Sequence, residues 1–132
     1  MKFSVKAFCL VAFITQTHAA NAENWVKVVV NPIGTFYVDA DVATRYGHVV
    51  KSSELTDLKK PEMVNGKWIQ SRRSLVENDC KKLTRRVLAL ATFSGQMATG
   101  NTIYSSEVPR DWLPISLGNT AHAVFDYVCL NY

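Results

Sequence analysis

Three groups of side chains in this chain have types and spacing that can do chemistry. Cys80 stands between the acids Glu77 and Asp79 and the cations Lys81, Lys82, Arg85 and Arg86. Cations beside a thiol favour its thiolate, but no histidine lies close in sequence to act as its base. Asp39 and Asp41 are two residues apart. On a strand that spacing puts both carboxylates on one face, where they can exchange protons or hold a cation. The plainer reading is that they end a strand and begin a turn. His48 and His122 fall in separate segments and no cysteine–histidine cluster has zinc-ligand spacing. No phosphate-binding loop occurs, and Ser71, Ser74 and Ser94 lack the G-x-S-x-G setting of a hydrolase nucleophile. The expectation is a protein that is not an enzyme and uses no cofactor or metal.

Charge is more informative. Between Lys67 and Arg86 lie seven cations (Lys67, Arg72, Arg73, Lys81, Lys82, Arg85 and Arg86) and only two acids, Glu77 and Asp79. These cations fall on two segments that read as adjacent strands. Adjacent strands bring side chains within about 5 Å, so the cations are expected to form a patch that attracts anions. The alternative is charge that protects a sheet edge from pairing with another chain. Trp68 flanks the segment and is a candidate aromatic anchor. The matching partners are acidic glycans, anionic proteins or lipopolysaccharide.

The N-terminus decides the compartment. Lys2 and Lys6 precede an apolar run from Ala7 to Ile14, and Ala20-Asn21-Ala22 follows. Charge, short apolar core and small-residue exit in that order describe a signal peptide over 1–22, leaving a single domain over 23–132. Export makes nucleic acid an unsuitable partner. Cys9 lies inside the apolar run rather than at its exit, which is not the place of a lipid-attachment cysteine. With Lys2 and Lys6 gone, 13 basic residues remain of 15, against 11 acids. No later apolar run has membrane-spanning length. Cys80 and Cys129 are the two cysteines left, and two cysteines in an exported chain are expected to pair. Closing a loop of about 50 residues would stabilise by roughly 4 kcal/mol on a chain-entropy model. A reactive Cys80 thiol is the alternative.

The elements that must position these residues follow from pattern. Asn24–Val30 is β-branched and reads as a strand with Val26, Val28 and Val30 on one face. Asn31–Gly34 reads as a turn and Thr35–Asp39 as a second strand. A strand is expected around Gly47–Leu58, then a loop over 59–67, because Pro61 breaks pairing and Asn65-Gly66 is a hairpin signal. Two strands follow, one from Lys67 to Asn78 and one from Leu83 to Phe93. In the second, Val87, Ala89, Ala91 and Phe93 are expected on one face. A loop over 94–101, a short strand at Thr102–Val108 and a proline-containing loop lead to the C-terminus. There Ala121, Val124, Phe125, Val128, Cys129 and Tyr132 repeat at helical spacing, with Asn119 or Thr120 as the cap. The fold class is α+β: an antiparallel sheet of about five or six strands with one C-terminal helix packed on it, and one disulfide.

The order of these features resembles the surface-adhesin protein E family of Gram-negative bacteria. The residues that carry the resemblance are Phe36–Asp39, Asp79-Cys80, Trp112 and Val128-Cys129, and it covers essentially the whole of 23–132. It implies a six-stranded antiparallel sheet with a helix and a Cys80–Cys129 bridge. It also implies binding to host matrix or plasma glycoproteins such as vitronectin and laminin through the basic segment, here Arg72, Arg73, Lys81, Lys82, Arg85 and Arg86. The family's best-known member is lipid-anchored at the cell surface, and this chain departs from it in the place of its cysteine. The expected address is therefore the periplasm, the cell surface or the medium. Expected partners are host glycoproteins, anionic glycans, and a second copy in a homodimer. The rival reading is a periplasmic structural or stress-related domain without a host target.

Overall fold

The computed structural model describes residues 23–132, so the signal-peptide reading of 1–22 lies outside the described residues. Eight strands and one helix follow in the order β1 (Trp25–Val30), β2 (Gly34–Asp39), β3 (Thr44–Tyr46), β4 (Val49–Val64), β5 (Lys67–Asp79), β6 (Thr84–Phe93), β7 (Thr102–Ser106), β8 (Leu113–Pro114) and α1 (Thr120–Asn131). Six of them form one open antiparallel sheet in the order β1-β2-β4-β5-β6-β7, with β3 on β4 and β8 on β6. The expected α+β architecture is what the chain adopts.

Local chemistry sets the turns. Asn31 closes the β1–β2 hairpin, its side-chain oxygen accepting from Ile33 N at 2.8 Å and Gly34 N at 3.0 Å. Gly34 is required there, because a Cβ would lie 2.3 Å from the Asp57 carbonyl on β4. Asn65 (φ 49°) and Gly66 (φ 76°) form the tight β4–β5 turn that their sequence announces. The loop expected over 59–67 is instead the end of β4 and this two-residue turn. Pro61 is tolerated because the β4–β5 register jumps between Asp57 and Glu62, so its missing N–H leaves no ladder bond unmade.

Two further bulges correct the expected faces. Lys27 pairs with Tyr37 and Val29 with Phe36, so Val28 is the extra residue. Val28 and Val29 both pack on the core, and Val30 turns away, 51% exposed. Likewise Leu75 pairs with Ala89 and Val76 with Val87, so Leu88 is skipped. Val87 therefore leaves the face of Ala89, Ala91 and Phe93 and joins that of Val76. An inserted residue flips every side chain beyond it, and sequence alternation alone does not reveal it.

Helix α1 covers one sheet face. The Asn119 side chain caps it by accepting from His122 N at 2.9 Å. Val124 and Val128 pack with Val38 and Val50, while Val28, Val29, Phe36, Cys80 and Tyr132 border this core. Three ties fix the helix ends. Asn31 Nδ2 donates to Thr120 Oγ1 at 2.8 Å. Arg45 from β3 donates to the carbonyls of Tyr132 at 2.6 Å and Cys129 at 2.8 Å, satisfying free acceptors at the helix C-terminus. The third tie is the Cys80–Cys129 disulfide, with Cα atoms 5.8 Å apart. It joins the end of central strand β5 to the last turn of α1.

Candidate binding surface

Strand alternation distributes the seven cations over two faces and both ends of β5 and β6. Arg73 and Arg86 lie on the face opposite the helix, and Arg72 and Arg85 on the helix face. Each of these arginines meets a carboxylate, three from the sheet and one, Glu23, from the segment before β1. Arg72 pairs with Glu62. Arg73 lies 2.6 Å from Glu23, with its guanidinium 5.5 Å from the centre of the Phe93 ring. Arg85 lies 2.6 Å from Glu54, and Arg86 lies 2.7 Å from Glu77 and 4.8 Å from the Trp112 ring. Stacked, ion-paired guanidinium groups are largely committed to the fold. Lys67 and Trp68 sit at the far end of β5, beside the Asn65-Gly66 turn.

Lys81 and Lys82 differ. Both are exposed in the four-residue turn from Cys80 to Leu83 that joins β5 to β6, and neither makes an ion pair among the described residues. Two anchors hold this turn. The disulfide fixes Cys80, whose N–H also donates to His48 O at 2.8 Å. Asp79 Oδ1 accepts from Lys81 N at 3.1 Å and Lys82 N at 2.9 Å. The Lys82 N–H is the main reason the Asp79 carboxyl titrates below the usual carboxylate range. The acid between the cysteine and its strand thus organises the turn rather than cancelling its lysines.

Leu83 was not singled out by sequence reasoning. It is 51% exposed and holds φ at 55°, a left-handed conformation that a leucine adopts at a cost. The signal for it was positional: it is the last residue of a short connection, where glycine or asparagine would be free of strain. The turn therefore presents two cations and one apolar side chain together on a covalently tethered support. Ile115 N donates to Leu83 O at 2.9 Å, and the exposed Leu113 lies alongside on β8.

The opposite face carries an open cleft of about 820 Å³ lined by Glu23, Asp39, Asp41, Arg73, Leu75 and Ala89, among others. Asp39 and Asp41 do share this cleft, but Asp39 is structural. Its Oδ1 accepts from Asn24 N at 3.3 Å and Asp41 N at 3.0 Å, which ends β2 and starts the turn. His48 is exposed and does not line the cleft, and His122 accepts from Gly118 N through Nδ1 at 3.1 Å. Among the described residues no group of histidine, cysteine and carboxylate side chains converges as metal ligands, and no helix is long and apolar enough to cross a membrane. The geometry offers tethered charge and apolar contact, which is the chemistry of association.

Known proteins agree with the architecture. The model of the family described as surface-adhesin protein E matches residues 25–130. The structure of crystal form II of Haemophilus influenzae protein E superposes with a TM-score of 0.67 at 15% identity, covering 83% of this chain and 89% of that one. The crystal structure of protein E from non-typeable Haemophilus influenzae gives 0.63 at 14% identity, over 86% and 80%. No curated protein matches the chain.

Proposed function

Since this chain belongs to the surface-adhesin protein E family, we propose that it is a non-enzymatic exported binding domain that attaches to host matrix or plasma glycoproteins, or to other anionic partners, through the turn at Lys81 and Lys82. Arg72, Arg73, Arg85 and Arg86 support that surface from the flanking strands and Leu83 adds an apolar contact, while Lys67 and Trp68 stand at the other end of β5, outside it. The observation that carries this reading is the contrast within the cluster. Four arginines are paired with carboxylates, while the two turn lysines project from a disulfide-fixed support. Unpaired, exposed cations mainly set encounter rate and salt sensitivity. Residues 1–22 serve as the signal peptide, and an intact mass beginning at Glu23 for the exported protein checks this.

Replacing Lys81 and Lys82 with serine is expected to weaken binding to immobilised matrix glycoproteins about five- to tenfold at low salt, through a slower association rate, with melting temperature unchanged. Raising salt should close most of the gap between variant and parent. Equal affinity and equal salt dependence for the two proteins would rule the turn out.

A further inference from the structure

Strands β4 and β5 outrun their neighbours. Pairing of β2 with β4 stops at Gly34–Leu58, and pairing of β5 with β6 stops at Ser71–Phe93. Beyond those points, apart from Lys59 N, which donates to Ile33 O at 2.9 Å, the two strands pair with each other through Glu62–Ile69, Met63–Trp68 and Val64–Lys67. The result is a two-stranded arm of about 13 Å along β5, from Gln70 to Lys67, at about 3.3 Å per residue. Its base is held by the fully buried Ile69, but a two-stranded tip gains little stability on its own, so the composition of the tip calls for another reason. Met63 and Trp68 face each other across the strands and are 52% and 58% exposed. Beside Trp68 lies a shallow recess of about 500 Å³, walled mostly by hydrocarbon from Lys60, Pro61 and Trp68. Lys59, Lys60 and Lys67 are exposed and make no ion pair among the described residues, and the arm's one carboxylate, Glu62, is taken by Arg72.

We propose that this arm is a second binding element, one that docks on an anionic lipid surface. Its tip combines what an interfacial segment needs. Tryptophan settles at the headgroup level of a bilayer, methionine adapts to irregular apolar surroundings, and lysines are drawn to negatively charged headgroups. A sugar site would instead need polar groups converging on hydroxyls inside the recess, whereas these walls are apolar and the cations stand around them. The arm lies at the other end of β5 from Lys81 and Lys82, so its role is independent of the turn.

Vesicle co-sedimentation of the oxidised 23–132 protein tests the assignment. Phosphatidylcholine vesicles containing phosphatidylglycerol should retain the protein and shift its tryptophan emission to the blue, and phosphatidylcholine alone should do neither. Each arm lysine is expected to contribute about fivefold to vesicle affinity. Lys59→Ser, Lys60→Ser and Lys67→Ser combined should therefore release the protein, and Trp68→Ala should abolish the emission shift. Both changes are at exposed positions, and an unchanged melting curve verifies the fold. Lys81→Ser with Lys82→Ser should bind vesicles like the parent. The assignment is overturned if the arm variants bind as the parent does, if only the turn variant loses binding, or if the arm retains a sulfated glycan or an acidic protein while ignoring the anionic vesicles.

Discussion

A Cys80→Ser, Cys129→Ser double variant will melt roughly 15 °C below the parent, and reduction of the parent will do the same. The bridge spans 49 residues. On the chain-entropy model, opening a loop of that length costs about 4 kcal/mol. For a domain of this size each kcal/mol moves the midpoint by about 4 °C or more, and total stabilities are about 5–15 kcal/mol. Packing argues in the same direction. The helix rests on the sheet through few fully buried side chains, chiefly Val124, Phe125 and Val128. Its other ties, from Asn31 and Arg45, are hydrogen bonds at its ends. Without the bridge the turn at Lys81 and Lys82 also loses one of its two anchors, so binding should fall together with stability. Calorimetry of the three species decides. A double variant that melts within a few degrees of the parent would mean that packing alone holds the helix down.

The second large effect separates two neighbouring cations that look alike in sequence. Arg85→Ala is expected to cost roughly 2–3 kcal/mol of folding stability, somewhat below the loss for fully buried pairs, while Lys81→Ser should stay within about 0.5 kcal/mol. Arg85 and Glu54 are only 16% and 15% exposed and lie 2.6 Å apart beneath the helix. Arg85 also donates to Ala121 O at 3.4 Å, and Glu54 accepts from Ser52 Oγ at 3.2 Å. Ser52 Oγ in turn accepts from the buried Asn78 side chain at 3.2 Å. Removing the guanidinium strands a carboxylate inside this network, where it has lost most of its water. Removing both partners, as in Arg85→Met with Glu54→Leu, should restore much of the loss because no lone charge remains. Urea titrations of the three variants test this. Full stability with lost ligand binding in Arg85→Ala would make Arg85 a contact residue instead.

The contrast between Arg85 and Lys81 also marks how far the sequence carries. What depends on near neighbours was legible in it. The helix was visible from Val124, Phe125 and Val128 and its Asn119 cap, the tight turn from Asn65-Gly66, and the bridge from two cysteines in a chain whose N-terminus reads as an export signal. Each of these is set by periodicity, by backbone preference or by redox setting, all of which act over a few residues or on the chain as a whole. The cationic cluster was legible only as composition. Which of its members are available to a partner depends on carboxylates that lie far away in sequence: Glu23 for Arg73 and Glu54 for Arg85, 50 and 31 residues distant. The bulges at Val28 and Leu88 then decide which face each side chain takes, and the jump at Pro61 lets β4 continue into an arm where a loop was expected. Charge and apolar content are properties of residues, and the sequence determined them. Neutralisation and exposure are properties of pairs brought together by strand register, and only the tertiary structure decided those.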